Sequence, residues 1–241
     1  MPLPRLYRDL AAWWPLFSHP DEYVEEAAWI REALGGALGR IPRTILELGS
    51  GGGNTASHLV PHARMTLVDA SPEMLAVSRR LISGAEHIEG DMRTLRLNRS
   101  FEAVLIHDAI MYMTSERDLV AALATALAHL GGDGIAIVLP DHVAETFAPG
   151  TETGGRDAAD GRGVRYLEWT QAPASGAATF VTDYAIMLRG ADGAVTLVHD
   201  RHVCGLFPRE AWKRAFAGAG FAPPHIVTDP WERDVFIARP R

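Results

Sequence analysis

Glycine is concentrated in one short segment of this sequence, where four glycines and a serine fill residues 49–53. An apolar run that contains a single acid, Glu47, leads directly into this segment. Glycine tolerates positive φ, and because it has no Cβ a ligand can lie directly against the backbone. If a helix begins at Asn54, the free N–H groups of its first turn point at the same place. The segment therefore predicts a site for a nucleotide-containing cofactor.

A second residue that could contact such a cofactor is Asp69, which lies 20 positions beyond Gly49 and ends another apolar run. At that distance a carboxylate at the tip of the second strand can accept hydrogen bonds from a ribose diol. NAD-dependent enzymes use the same arrangement. Asp69 therefore indicates an adenosine-type ligand without choosing among cofactors.

The spacing of the glycines distinguishes between the possible cofactors. The dinucleotide fingerprint G-x-G-x-x-G would need its third glycine at position 54, which is Asn54. The chain instead has Gly49-x-Gly51-x-Gly53, with an acid two residues before the first glycine. This pattern resembles motif I of the class I S-adenosylmethionine-dependent methyltransferases. The sequence DASPEML at residues 69–75 and GGDG at residues 131–134 resemble the same family, so the resemblance covers residues 44–139.

The resemblance implies S-adenosylmethionine as the cofactor and gives roles to residues near strand ends. It implies that Asp91 accepts the exocyclic amine of adenine, that Met92 packs on the ring, and that Glu47 contacts the cofactor's amino group indirectly. The predicted cofactor-binding residues are Glu47, Gly49, Gly51, Gly53, Asp69, Ala70, Met74, Asp91, Met92 and His107. In the alternative interpretation Asp91 is a turn former, Met74 a core residue, and His107 a strand-end histidine with satisfied hydrogen bonds.

Methyl transfer from a sulfonium is an in-line displacement, so proximity and orientation in a dry cleft supply most of the rate. A base is needed only if the acceptor must lose a proton. For each histidine, a core or surface role is the alternative. The candidate bases are His142 and His107, then His199 and His202, and the candidate anchors for a protonated amine are Glu145 and Asp200.

These residues require a sheet that brings several strand ends to one edge. Apolar runs predict strands near residues 44–48, 65–69, 87–89, 101–108, 133–140, 226–227 and 234–238. Helical spacing and capping residues predict helices at 21–38, at 54–61, from Pro72 onward, at 115–130 and at 208–220. In the first of these helices Asp21 is the predicted N-cap, and Gly35 and Gly39 end it. We expect an α/β fold, a Rossmann-like doubly wound seven-stranded sheet whose last strand is antiparallel, as the resemblance implies.

The part of the chain between the fifth strand and the last helix has a different composition. Residues 143–162 are rich in Gly, Thr, Asp and Ala and predict a mobile loop. Alternating segments at 164–170, 179–188 and 195–204 predict a small antiparallel β insertion that covers the cleft. The expected organisation is a lid and helix at 1–40, a cofactor-binding domain at 41–142 with 206–241, and the acceptor-side insertion at 143–205. The alternative for the first segment is a helix that only packs on the sheet edge.

Composition limits the possible partners. The chain has 241 residues, 47% of them hydrophobic, a formal net charge of −7 and no basic run, so we expect no nucleic-acid partner. Its single cysteine, Cys204, excludes an internal disulfide, and its histidines form no ligand pattern, so we predict no metal. No signal peptide and no apolar run near the roughly 20 residues of a membrane span are visible. We expect a soluble cytoplasmic protein with a small-molecule acceptor; its oligomeric state stays open.

Within the family, residues 145–150 and 205–212 resemble small-molecule methyltransferases of antibiotic pathways, including the amino-sugar N,N-dimethyltransferases. Methylation at nitrogen and at oxygen both stay open. Two other functions compete with this interpretation. One is an NAD(P)-dependent oxidoreductase, which would need a glycine in place of Asn54. The other is a non-catalytic homologue that binds the cofactor but lacks a sealed acceptor pocket.

Overall fold

The computed structural model describes residues 3–241, which contain eleven strands and six α-helices. The strands, in chain order, are β1 (Thr44–Leu48), β2 (Arg64–Asp69), β3 (Glu86–Glu89), β4 (Phe101–His107), β5 (Leu130–Leu139), β6 (Gly150–Gly154), β7 (Gly163–Thr170), β8 (Thr179–Arg189), β9 (Val195–Gly205), β10 (His225–Thr228) and β11 (Asp234–Ala238). The helices are α1 (Trp14–Phe17), α2 (Val24–Leu38), α3 (Asn54–Leu59), α4 (Pro72–Leu81), α5 (Glu116–Ala128) and α6 (Arg209–Ala219).

Seven strands form the main sheet, in the order β10-β11-β5-β4-β1-β2-β3. The five central and edge strands β3, β2, β1, β4 and β5 run parallel, while β11 is antiparallel to both β5 and β10. The middle strands are mainly apolar, as expected for strands that helices cover on both faces of the sheet. The predicted fold, with an antiparallel last strand, is confirmed.

The two faces of the sheet have separate cores. On one face α5 and α6 pack on the sheet, where Trp212 stacks on Phe236 with 4.9 Å between ring centroids. On the other face α2 and α3 pack on the sheet through residues such as Ile30 and Leu34, which are 0% and 1% exposed. Among residues 3–241, no helix combines the length and the apolar character needed to cross a membrane.

The other four strands, β6 to β9, form a second, antiparallel sheet in sequence order. Because side chains alternate across a strand, even-numbered residues of β7, β8 and β9 face inward, among them Val164, Ile186 and Val198. These pack on the amino-terminal segment, which lies between the two sheets, and Phe17 stacks on Tyr166 at 4.1 Å. The predicted β insertion is confirmed, with one strand more than expected.

Four local predictions were wrong. The segment 143–162 is not a continuous loop, because β6 pairs with β7 from Gly150 to Gly154. The strand predicted to begin at residue 133 already begins at Leu130, so α5 ends at Ala128 and not at 130. Asp21 is not the N-cap of α2: the side chain of His19 accepts from the Asp21 N–H, and a 3-10 turn at Pro20–Tyr23 precedes the helix. Gly35 lies within α2, which ends at Gly39 in the left-handed conformation (φ +73°).

Candidate active site

The glycine turn connects β1 to α3 at the carboxyl edge of the main sheet. Gly49, Gly51 and Gly53 have φ values of +79°, +53° and +82°, a conformation that side chains with a Cβ rarely adopt. The Gly49 N–H donates to the Val68 carbonyl oxygen at 2.7 Å. The Gly51 N–H donates to Asp69 Oδ2 at 2.8 Å. The sequence thus fixes the turn both by glycine and by hydrogen bonds to the end of β2.

Two side chains predicted near the cofactor lie beside this turn. A Cβ at Gly49 would lie 2.8 Å from Met92 Cε and 2.3 Å from Ala109 Cβ, so glycine permits close packing there. Met74 is fully buried, and its Cε would lie 3.7 Å from a Cβ at Gly51. No other heavy atom among residues 3–241, apart from its chain neighbours, would come within 4 Å of that Cβ. Gly51 therefore borders open space.

Asp69 is placed as the sequence spacing predicted, at the carboxyl end of β2 and against the turn. Its two oxygens accept from the Gly51 and Ser71 N–H groups, each at 2.8 Å. Burial raises the pKa of Asp69, and these backbone N–H groups oppose the shift. Each carboxylate oxygen keeps acceptor capacity for a ligand hydroxyl. The next residue, Ala70, is exposed at the same edge.

Asp91 follows β3 at the same edge as Asp69, because the Gly90 N–H donates to the Asp69 carbonyl oxygen at 2.9 Å. Its carboxylate accepts from Arg93 Nη2 at 2.6 Å and from the Arg93 backbone N–H at 2.8 Å. The Arg93 hydrogen bond outweighs burial and lowers the pKa of Asp91. Asp91 is therefore an ionised acceptor whose orientation Arg93 fixes.

Several buried polar atoms beside the turn have no hydrogen-bond partner among residues 3–241. They are Glu47 Oε2, Ser50 Oγ and Trp14 Nε1. Burial, together with the nearby acids, raises the pKa of Glu47 to about 8, against the opposing effect of His107. A buried polar group without a partner costs free energy. An amino acid-like ligand, which carries both an ammonium and a carboxylate, would supply partners for these atoms, so the residues present fit the predicted cofactor.

The amino-terminal segment lies directly over the turn. A Cβ at Gly52 would be 2.3 Å from Trp14 Cδ1, so the indole ring contacts the backbone there. Asn54 Nδ2 donates to the Ser18 carbonyl oxygen at 3.2 Å, and the Ser71 hydroxyl donates to the Tyr7 carbonyl oxygen. These contacts join residues 7–18 to the first turns of α3 and α4.

His107, at the end of β4, belongs to a buried charge cluster that also contains Glu26, Asp108, Asp229 and Arg233. Its Nε2 lies 3.1 Å from Glu26 Oε1 and 2.9 Å from Asp108 Oδ1. Arg233 bonds to Glu26 and, at 2.7 Å, to Asp229. The cluster thereby joins α2 to the ends of β4 and β11.

The charges of the cluster explain its pKa shifts. Burial alone would lower the pKa of His107, but the carboxylates of Asp108 and Glu26 outweigh it and raise this pKa well above 6.5. Burial would raise the pKa of Asp108, yet His107 lowers it to about 2. These two carboxylates therefore stabilise a charge on the His107 ring. This environment favours a structural role for His107 over the predicted role as a base.

We expect Glu26→Gln to destabilise the fold by about 3 kcal/mol, since removing one partner leaves buried charges uncompensated. Burial raises the pKa of Glu26, but His107 outweighs it and lowers the pKa below 4.5. The Glu26 contribution is thus present above pH 4.5 and is lost as the pH falls through the lowered pKa. The His107 contribution is present below pH 6.5 and is lost as the pH rises through the raised pKa.

Urea unfolding from pH 4.5 to pH 9 measures this effect, and the difference between wild type and variant should be largest between about pH 4.5 and 6.5. Glu25→Gln is the matched control, because Glu25 is the exposed neighbour on the same helix. Equal destabilisation by both variants would contradict the role of the cluster.

His142, the other predicted base, follows β5 at the carboxyl edge of the main sheet. Its ring lies 5.3 Å from Phe147 and 5.7 Å from Phe180, both edge to face. Burial lowers the pKa of His142, so the ring is neutral at pH 7 and able to accept a proton. The preceding Asp141 has its pKa raised well above 3.8 by burial and by Asp108.

The other candidate bases and amine anchors lie on the second sheet, with the exception of Glu145. His199 faces outward, is 65% exposed and pairs with Asp183 at 2.6 Å, so it cannot serve the cleft. Glu145 accepts from the Arg209 N–H at 2.9 Å at the start of α6 and is not an amine anchor. His202 and Asp200 face inward and contact each other at 3.1 Å.

Trp14 on the turn belongs to the amino-terminal segment that the sequence predicted as a lid. Sequence reasoning missed two contributions to this region, Glu26 and Arg233 in the charge cluster. Glu26 had a visible signal, since it lies four residues before Ile30 on the apolar face of α2, and an acid at a buried helical position needs a partner. Arg233 had no such signal, because only the tertiary fold brings it to Glu26.

The strand order, the positive-φ turn and the acid at the tip of β2 together define a Rossmann-like protein that binds an adenosine-containing cofactor. Comparison with known proteins narrows this class. A family model described as "Methyltransferase domain" matches residues 45–134. The dTDP-3-amino-3,6-dideoxy-alpha-D-glucopyranose N,N-dimethyltransferase of Streptomyces fradiae is 30% identical over 199 residues, which are 82% of this chain and 77% of that protein.

Two solved structures have the same fold. DesVI of Streptomyces venezuelae matches with a TM-score of 0.86 at 24% identity, over 97% of this chain and 99% of that one. CalS10, an amino pentose methyltransferase from Micromonospora echinaspora whose structure holds bound S-adenosylmethionine, matches with a TM-score of 0.76 at 23% identity, over 90% of each chain.

The chain belongs to the class I S-adenosylmethionine-dependent methyltransferases, and it is an enzyme that acts on a small molecule. Its cofactor is S-adenosylmethionine. The oxidoreductase alternative is wrong, because the matching family is a methyltransferase family and the last strand of the chain, β11, is antiparallel to β5. The non-catalytic alternative is set aside, since the relatives are named as methyltransferases.

Proposed function

We propose that this chain transfers methyl groups from S-adenosylmethionine to the amine of a nucleotide-linked aminosugar. The observation that carries the proposal is the similarity to the Streptomyces fradiae sugar N,N-dimethyltransferase. That similarity extends over 199 residues and is therefore too long to be confined to the main sheet and its helices. It includes part of the second sheet, which borders the acceptor side.

In this proposal the glycine turn and the strand ends hold the cofactor. The backbone of residues 49–53 and the carboxylate of Asp69 hold the adenosine, with Asp91 and Met92 on the adenine. Glu47 and Ser50 take the polar end of the methionine part. When bound, S-adenosylmethionine supplies an electrophilic methyl group. The amino-terminal segment, residues 1–40, acts as the lid that excludes water, which strengthens the electrostatic interactions inside the cleft.

The acceptor would lie between the lid, the end of β5 and the inward face of the second sheet, residues 143–205. This surface carries acids: Glu168 faces inward beside Tyr184, and burial raises its pKa. A surface of this kind suits an acceptor that arrives as an ammonium. His142 can take a proton because its pKa is lowered, and we propose it as a base on this side. A base serves an amine that must lose its proton and an alcohol alike, so it is the acid on this surface, which suits an ammonium, that favours nitrogen over oxygen as the acceptor atom.

The proposal is tested with dTDP-3-amino-3,6-dideoxy-α-D-glucopyranose, the sugar nucleotide in the name of the Streptomyces fradiae relative. We expect release of S-adenosylhomocysteine and a product that is heavier by one or two methyl groups in mass spectrometry. The matched control is the analogue that carries a hydroxyl in place of the amine. Turnover of the hydroxyl analogue alone, or of neither compound, would contradict the proposal.

We also propose that the enzyme acts in the cytoplasm, as the composition predicts. The thiol of its single cysteine, Cys204, is buried in the second sheet. Burial raises the pKa of Cys204 to about 12, so the thiol is unreactive.

A further inference from the structure

A chain of hydrogen bonds connects the lid to the interior of the second sheet. Tyr7 Oη lies 2.8 Å from Tyr112 Oη, and Tyr112 Oη lies 2.8 Å from His202 Nδ1. His202 Nε2 lies 3.1 Å from Asp200 Oδ2. These four side chains come from the amino-terminal segment, the 3-10 turn that follows β4, and β9. None of these four side chains is among the residues proposed to bind the cofactor.

The partners of Asp200 fix the proton on His202. Asp200 accepts from the Arg5 and Leu6 N–H groups at 3.1 and 2.8 Å. Burial would raise the pKa of Asp200, but the hydrogen bonds from His202, Leu6 and Arg5 outweigh it and lower this pKa. An ionised carboxylate only accepts, so His202 Nε2 must carry a proton. In the neutral ring Nδ1 is then the acceptor, and the hydroxyl of Tyr112 donates to it.

In the structure the Tyr112 hydroxyl donates to Tyr7 Oη, so Nδ1 of His202 is placed to donate to Tyr112, which is the sense that a protonated ring requires. Rotation of the two hydroxyls gives the opposite sense, in which Tyr7 donates to Tyr112 and Tyr112 donates to Nδ1 of the neutral ring. The two arrangements differ by one proton, and the same four side chains accommodate both.

The tyrosine end of this series of hydrogen bonds lies next to the cofactor turn. His202 and Asp200 are 3% and 5% exposed, whereas Tyr7 and Tyr112 are only partly buried. The Tyr7 ring lies 5.8 Å from that of Trp14, which contacts Gly52. Tyr112 ends the 3-10 turn whose Ala109 packs on Gly49. The two phenols therefore lie on the side of the cofactor turn, and the Asp200 carboxylate lies behind them.

Other titratable groups also face His202. The Tyr184 ring lies 4.7 Å away, and Glu168 is close enough for its pKa to respond to His202. Arg201, the neighbour of His202 on β9, points outward to Asp183. The groups on the inward side are thus acids and phenols, which stabilise a positive charge on the imidazole.

We infer, resting on the proposed function, that Tyr7, Tyr112 and His202 form a proton relay that removes the proton from the acceptor amine. The ammonium N–H gives its proton to Tyr7 Oη, the Tyr7 proton passes to Tyr112 Oη, and the Tyr112 proton passes to His202 Nδ1. The nitrogen keeps the electron pair of the broken N–H bond and becomes the nucleophile. Asp200 pairs with the imidazolium, which returns the proton by the same route to water after product release.

Kinetics at saturating S-adenosylmethionine test the relay with the aminosugar nucleotide as acceptor. Tyr112→Phe and His202→Gln should lower kcat at pH 7 by about 100-fold or more, the usual size of a general-base effect. In a second series with varied S-adenosylmethionine, its KM should change by less than about twofold, since the residues that bind it are intact. The loss should shrink as the pH rises, because the amine then loses its proton without the relay. His199→Gln, on the outward face of the same strand, is the control and should behave as wild type.

A second measurement needs no acceptor. In protein with 15N-labelled histidine, NMR should show the Nε2–H tautomer for neutral His202, and Tyr112→Phe should shift the Nδ1 resonance. An Nδ1–H tautomer, or wild-type kcat and pH profile in Tyr112→Phe, would overturn the relay. If the wild type fails to methylate the aminosugar, the proposed function is wrong, and the NMR result still decides whether the relay exists.

Discussion

Gly51→Val should abolish cofactor binding while the protein stays folded. At φ +53° a side chain with a Cβ costs roughly 1–2 kcal/mol, and valine adds two methyl groups at the point where the backbone borders open space. We expect the Kd for S-adenosylhomocysteine to rise by at least about 100-fold, which corresponds to about 2.8 kcal/mol. Isothermal titration calorimetry measures the affinity, and urea unfolding measures the stability.

Gly176→Val is the control that distinguishes the effect of backbone strain on stability from the effect on ligand affinity. Gly176 also has a positive φ, +73°, with no heavy atom within 4 Å of a Cβ among residues 3–241 beyond its chain neighbours, but it lies in the loop between β7 and β8. It should lose stability to a similar extent and keep wild-type affinity. If Gly51→Val also kept its affinity, the ligand would not approach the backbone at this turn.

Asp69→Asn should weaken S-adenosylhomocysteine binding by tenfold or more. The carboxylate both fixes the turn, through the Gly51 and Ser71 N–H groups, and is available to the ribose hydroxyls. Hydrogen bonds to a charged group contribute about 1.5–3 kcal/mol, and the amide replaces one acceptor oxygen with a donor. Calorimetry should therefore show a tenfold to hundredfold higher Kd together with a lower melting temperature.

The control for Asp69 is Asp133→Asn. Asp133 is exposed near the amino end of β5, at the opposite edge of the sheet. It should leave both affinity and melting temperature unchanged. An Asp69→Asn variant that melts early but binds normally would show that the carboxylate only supports the turn.

The fold followed from the sequence because its signals are local. The apolar runs that form β1, β2 and β4 and the serine caps at Ser71 and Ser115 each specify their own element. Strand β6, which the sequence did not predict, shows that some elements depend on tertiary pairing and not on local sequence. Its sequence, GTETG, has little strand propensity, and it is a strand because β7 offers an unpaired edge.

The cofactor side of the site was easier to predict than the acceptor side for a related reason. The turn and Asp69 are separated by a fixed number of residues within one βαβ unit, so spacing alone brings them together. His107 illustrates the opposite case. Whether it is a base or a structural cation depends on Glu26 in α2 and on Asp108, and nothing in the local sequence states that Glu26 reaches it.

The charge cluster also determines which part of the amino-terminal segment can move. If α2 moved away, Arg233 and His107 would stay buried without their partner Glu26. Because this is costly, we expect α2 to stay in place during turnover. Residues 3–18 have no such link to the cluster and are held by apolar packing on the second sheet and by hydrogen bonds, such as that from Asn54 to Ser18. Any movement of the lid for substrate entry and product departure should therefore involve residues 3–18 and leave α2 in place.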